Sequence, residues 1–123
     1  MATQVLPATL VPPAATDVAT NVTSALTSIT GGNTVQFPNI PGLTTLLISV
    51  GATGGTIQVN VGATIFGQSF APFTAITLTA TTIYVAGLFH SALESSITGN
   101  LVSLVTSGAL VSSMAVLQFQ GVY

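Results

Sequence analysis

The chain has 123 residues, no Lys and no Arg, two acids (Asp17 and Glu94) and one histidine (His90), for a formal net charge of −2. Charged residues make up 2 % of it, against about 25 % in an ordinary soluble domain. Without basic groups there is no phosphate neutralisation and no counterion release, which argues against direct nucleic-acid binding, and the usual attraction to anionic membrane surfaces is lost as well.

This length suits one domain, residues 1–123, that buries roughly two-thirds of its unfolded surface. There is no cysteine, so disulfides and thiolate metal sites are unavailable. The mean hydropathy of +0.84 raises the question of a membrane span. The stretch "LTTLLISVGA" is too short to span, however, and "LVSLVTSGALVSSMAVLQF" is interrupted by Ser, Thr, Gly and Gln. The opening "MATQVLPATLVPPAA" has three prolines and no basic residue, so it does not read as a signal peptide, and synthesis in a cytoplasm is the expectation. A surface this poor in charge has little colloidal repulsion, which points to a protein that works assembled.

In chain order, Thr, Val and Ile dominate, and branched side chains favour a pleated surface. A first strand is expected over Gln4–Val11, ending at Pro12-Pro13, with residues 1–30 including an extended N-terminal arm. A second falls near Val22–Ile29, and "TGGN" turns the chain into Thr34–Phe37. "PNIPG" reads as a loop because its prolines cannot donate to a ladder. Leu43–Val50 is a nearly continuous apolar run, typical of a central strand. "GATGG" reads as a tight turn returning Thr56–Val61 as its hairpin partner, with Ile57, Val59 and Val61 on one face and Gln58 and Asn60 on the other. A loop around "FGQSFAPF" precedes strands at Thr74–Thr79 and Ile83–Ala86. "GLFHSALESSITGN" suggests a short helical turn near residues 89–96, connecting to a final hairpin of Leu101–Thr106 and Val111–Phe119 across "SGAL". The last strand reads as buried on both faces for much of its length. The expected fold is all-β: a single antiparallel β-sandwich, jelly-roll or immunoglobulin-like.

The inventory for chemistry is short. His90 and Glu94 share a helical face if the turn is helical, but two ligands are fewer than the three or four that zinc takes. A Ser–His–Asp triad would need Asp17, and no nucleophile elbow is present. Asp17 and Glu94 are the only carboxylates for glycoside hydrolysis. "GATGGT" lacks the Lys of a P-loop, and "NVT" at Asn21 is a common accidental sequon. Phe66, Phe70, Phe73, Tyr84 and Phe89 suit a core better than a sugar platform. No catalytic, cofactor-binding or metal residue is assigned, and the chain is not expected to be an enzyme.

From Asn33 to Phe119 the order of features carries a resemblance. A Gly/Asn turn leads to "VQFPN", then to the apolar "TTLLISVGATGGTIQVNV", threonines at alternate positions, "AGLF", "GN" and "LVSLVTSGALVSSMAVLQF". This run resembles the small head decoration (minor capsid) proteins of tailed bacteriophages. Gly87-Leu88-Phe89 would stand for that family's glycine–phenylalanine step, Gly99-Asn100 would open the penultimate strand, and "SSMAVLQF" would close the fold. The resemblance implies a structural virion protein on the capsid exterior. It would bind the major capsid protein and other copies of itself, a trimer being the expectation. It also implies Phe89 and Leu93 as pegs into the core, with His90 and Glu94 facing outward. Two other readings fit the composition: a self-assembling β-sandwich subunit of a tail, spike, fibre or pilus-like structure, and a small glycan-binding module.

Overall fold

The computed structural model describes residues 2–11, 21–40, 43–60, 64–65, 68–69, 74–86, 94–95 and 101–119. The strands among them are β1 (Thr3–Val5), β2 (Ala8–Val11), β3 (Thr27–Ile29), β4 (Thr34–Pro38), β5 (Thr44–Val50), β6 (Gly55–Asn60), β7 (Thr64–Ile65), β8 (Gln68–Ser69), β9 (Ile76–Leu78), β10 (Ile83–Ala86), β11 (Glu94–Ser95), β12 (Leu101–Thr106) and β13 (Ser112–Phe119). A single 3-10 turn, Thr23–Ala25, precedes β3.

Two mixed sheets face each other. The first runs β1-β4-β12-β6-β9, with β11 beside the start of β12. The second runs β10-β5-β13-β2, with β3 sharing the β13 edge that β2 continues. One apolar cluster joins them: Val35, Phe37, Val102, Leu104, Ile57 and Leu78 from the first, and Ile29, Leu46, Ile48, Val50, Met114 and Val116 from the second. Alternation produces this. In β5 the residues Thr44, Leu46, Ile48 and Val50 are buried and those between them only half-buried, as one inward face requires.

Eight strands follow a jelly-roll path, β3-β13-β5-β10 opposite β4-β12-β6-β9, antiparallel throughout. The chain passes between these two sheets at β1→β2, at every step from β3 to β6, at β9→β10, at β10→β11 and at β12→β13. This corrects two sequence expectations. "GATGG" does not close a hairpin, because β5 pairs with β10 and β13 while β6 pairs with β12 and β9. "SGAL" does not either, because β12 and β13 lie in opposite sheets. Both are arches, whose flanking strands face each other across the core instead of lying side by side.

The arches stack at one end of the sandwich. Gly32 N–H donates to the Ser107 carbonyl at 3.0 Å and Gly51 N–H to that of Val111 at 2.7 Å. Val111 N–H donates to the Thr53 carbonyl at 3.1 Å, and Thr81 N–H to that of Gly51 at 2.8 Å. The order is therefore 30–33, 107–111, 51–55, 79–82, the same as the strand order beneath it. Backbone crosses so closely that a Cβ on Gly31 would lie 2.6 Å from the Gly108 carbonyl oxygen and 2.7 Å from that of Leu110. Only glycine fits there.

The N-terminal segment differs from the single strand expected over Gln4–Val11. It divides at Leu6-Pro7: β1 lies parallel to β4 in one sheet, and β2 parallel to β13 in the other. Leu6, 2 % exposed, drops between the sheets, where it can be buried only by a chain that crosses the gap. These two pairs are the only parallel ones among the described residues and make both sheets mixed. Of the extended arm expected within residues 1–30, residues 12–20 lie outside the described residues, while residues 21–30 hold the 3-10 turn and β3.

Other differences are small. Pro38 is the last residue of β4, opposite Leu101, a strand end where no further ladder donor is needed. β7 and β8 form a two-stranded pair inside the loop expected near "FGQSFAPF". Glu94 belongs to β11 and is extended opposite Val102, so the helical turn expected over 89–96 does not reach it; residues 87–93 lie outside the described residues. β10 and β12 match their expected ranges, and β13 is buried at Met114, Ala115 and Val116 in succession.

Candidate interaction face

His90 and Asp17 lie outside the described residues, as do Phe66, Phe70, Phe73, Phe89 and Leu93. Among the described residues no three His, Cys, Asp or Glu come together in a metal-binding group, and no helix is long and apolar enough to cross a membrane. What the described residues offer is surface.

The two outer faces differ. On the first sheet, alternation turns Thr34 and Gln36 of β4, Ser103 of β12, Thr56 and Gln58 of β6 and Thr77 of β9 outward. That face is mainly polar, with Leu101, Val105 and the exposed Val5 set among these residues. On the second, Val85, Leu47 and Ala115 line up across β10, β5 and β13. Ile83 stands beside Ser49, and Leu117 beside Thr45 and Thr9. Ile83 is 69 % exposed, Val85 68 % and Phe119 41 %. These apolar residues share one face of one sheet, the arrangement that marks an interaction surface.

The sandwich is closed differently on its two sides. On the β3/β4 side a Gln4 network ties β1 across the gap. Its amide nitrogen donates to the Ser28 carbonyl at 3.1 Å. Its amide oxygen accepts from Thr30 N–H at 3.0 Å and from the Asn33 amide nitrogen at 2.8 Å. On the opposite side β9 and β10 are the terminal strands of their sheets. Among the described residues a polar brace joins them there: Thr79 N–H donates to the Tyr84 hydroxyl at 2.9 Å. Hydrogen bonding from the Thr79 side chain, then from its backbone, holds the Tyr84 phenol below its ordinary pKa of 10.0.

Between these terminal strands opens a cleft of about 100 Å³, lined by Ile48, Ile57, Ile76, Leu78, Tyr84, Val85 and Ala86. It is smaller than the roughly 300–1,000 Å³ of small-molecule sites and lacks their convergent polar groups. Ile76 stands at its rim, facing inward from β9 yet 56 % exposed.

Sequence reasoning located β10 but not its edge position, because period-2 alternation carries no information about which strand lacks a neighbour. The signal that was available is that the strand is apolar on both faces, Ile83 and Val85 on one and Tyr84 and Ala86 on the other. Neither a protein-family model nor any curated protein or solved structure matches the chain.

Proposed function

We propose that the chain is a structural virion protein that decorates or cements a capsid by binding at junctions of major capsid subunits, on the exterior of the particle. The observation that carries this reading is the nearly uncharged sandwich whose second sheet presents Val85, Leu47, Leu117 and Phe119 outward. Such a face suits a neutral, largely apolar docking partner. Jelly-roll connectivity recurs in viral capsid domains, although also in lectins and cupins, so the fold supports the reading only by analogy. Burial contributes about 25 cal/mol per Å² before entropic losses, and a modest footprint repeated over a shell adds up.

The mechanism is binding without turnover. With no Lys or Arg in the chain, its side of the interface contributes almost no ion pairs, so affinity for undecorated shells changes little between low and high sodium chloride. Sedimentation of shells with bound protein across that series measures it. Steep loss of binding with salt would overturn the reading. The alternative, a self-assembling subunit of a tail, spike, fibre or pilus-like structure, draws on the same apolar face. Electron microscopy of the purified chain separates the two, since filaments or closed shells without a partner favour self-assembly.

A further inference from the structure

We infer that β10 is a self-recognition edge, and that two copies of this chain join through it in antiparallel register centred on Tyr84, merging their second sheets into one. This does not depend on the capsid reading and concerns contact between copies alone.

The argument begins with hydrogen bonds. Val50 N–H donates to the Thr82 carbonyl at 2.9 Å, next to the paired residues Ser49 and Ile83. In an antiparallel ladder the polar groups of successive residues point to alternate sides. Thr82, Tyr84 and Ala86 therefore face β5. The N–H and C=O groups of Ile83 and Val85 face the other way, where no described strand pairs with them.

Those groups are self-complementary. Set two β10 strands antiparallel about Tyr84, and Ile83 of each lies opposite Val85 of the other. Each such pair exchanges an N–H and a C=O in both directions, satisfying all the outward polar groups of both residues. The same register keeps the sandwich faces aligned: Ile83 meets Val85 on the outer face as a cross-strand pair of β-branched residues, and Tyr84 meets its own counterpart on the inner one. Moving the register by one residue would place outer against inner side chains.

Nothing on this edge opposes the pairing. Natural edge strands are blunted by Lys, Pro, bulges or inward charges. β10 has none of these, being Ile-Tyr-Val-Ala in regular register with β5. A net charge of −2 gives two copies little mutual repulsion, and no ion on the strand has to be desolvated. Sheet edges with such free groups are used for strand addition between chains. A second copy fits this edge because it brings a matching strand, exposed β-branched Val85 opposite exposed β-branched Ile83, with no charge on either strand to oppose the approach.

The test uses the full chain and sedimentation velocity from micromolar to millimolar concentration. Val85→Pro removes an N–H that faces no described strand, at an edge position where proline is accepted. Ile83→Lys adds a charge to an outward side chain. Circular dichroism checks that both stay folded. We expect the wild type to associate with rising concentration and both variants to do so at least about tenfold more weakly. A third variant reads the register directly. Opposed Cα atoms in such a non-bonded pair lie about 4.5 Å apart, so Tyr84→Cys should form an oxidised dimer, the chain having no other cysteine. Ile83→Cys should not, because two copies of residue 83 sit too far apart to bridge. A wild type that stays monomeric at millimolar concentration overturns the inference. So does a folded Val85→Pro that associates like the wild type, or cross-linking at residue 83 as readily as at 84.

Discussion

Ser107 and Ser112 flank the same arch and have opposite energetics. Ser107 is a junction: its Oγ accepts from Thr56 N–H at 2.9 Å, its own N–H donates to the Thr56 carbonyl at 2.9 Å, and its carbonyl accepts from Gly32 and Leu110. Ser112 Oγ is buried in β13 and has no partner among the described residues. Removing an acceptor strands its donor, whereas removing an unpaired hydroxyl relieves a desolvation cost. Ser107→Ala should therefore lose about 1 kcal/mol, and Ser112→Ala should be neutral or more stable. Urea titrations at matched m-value measure both; a Ser112→Ala loss as large as that of Ser107→Ala contradicts the assignment. Neither role can be read from the sequence, where both are serines near a strand boundary. What decides between them is which neighbouring arch lies within reach.

At the scale of elements, alternation in "LLISV", "TIQVN" and "LVSLVT" made the strands legible, together with the inward face of each. The partners were not legible, for a definite reason. A hairpin turn and an arch connect strands of identical alternation, and both keep the apolar face toward the core. They differ only in whether the two apolar faces point the same way or toward each other, a property of tertiary packing. Glycines at Gly31, Gly54 and Gly55 were the available clue, since neighbouring arches leave no space for a side chain there. The N-terminal element shows the same limit. Its alternation reads as one strand, but Leu6 is buried between the sheets while β1 and β2 pair on opposite sides of the gap. Leu6→Ala should cost about 2–5 kcal/mol, as for other large-to-small core changes. It should also raise amide exchange in both β1 and β2, because the one side chain anchors both. Exchange rising in only one of them would show that the two strands are held independently.

For the whole molecule, the scarcity of charge was legible from composition and shapes its response to solvent. Few ionic groups means few pH-linked changes in stability and little for salt to screen. Among the described residues the resolved shift is that of Tyr84, whose folded pKa is depressed. The sign follows: a depressed group adds stability that is present above its unfolded pKa and is lost as pH falls through its folded one. The Tyr84 contribution is thus confined to alkaline solution near pH 10 and is absent at neutrality. Thermal unfolding in sodium chloride from low to high concentration at pH 7 should shift the midpoint little, while spectrophotometric titration should find a phenol ionising below 10. A strong salt dependence of the midpoint would require an ionic network that this composition does not supply.

The stacked arches also divide the molecule into two poles with unequal tolerance for change in length. At the arch pole each crossing is hemmed in by the next, so one inserted residue must push its neighbour aside. At the other pole two of the connections are longer runs of chain, residues 61–75 between β6 and β9 and residues 87–100 between β10 and β12. A grafted epitope or a fused peptide belongs at that second pole. There it would sit at the end of the sandwich opposite the hydrogen-bonded arches.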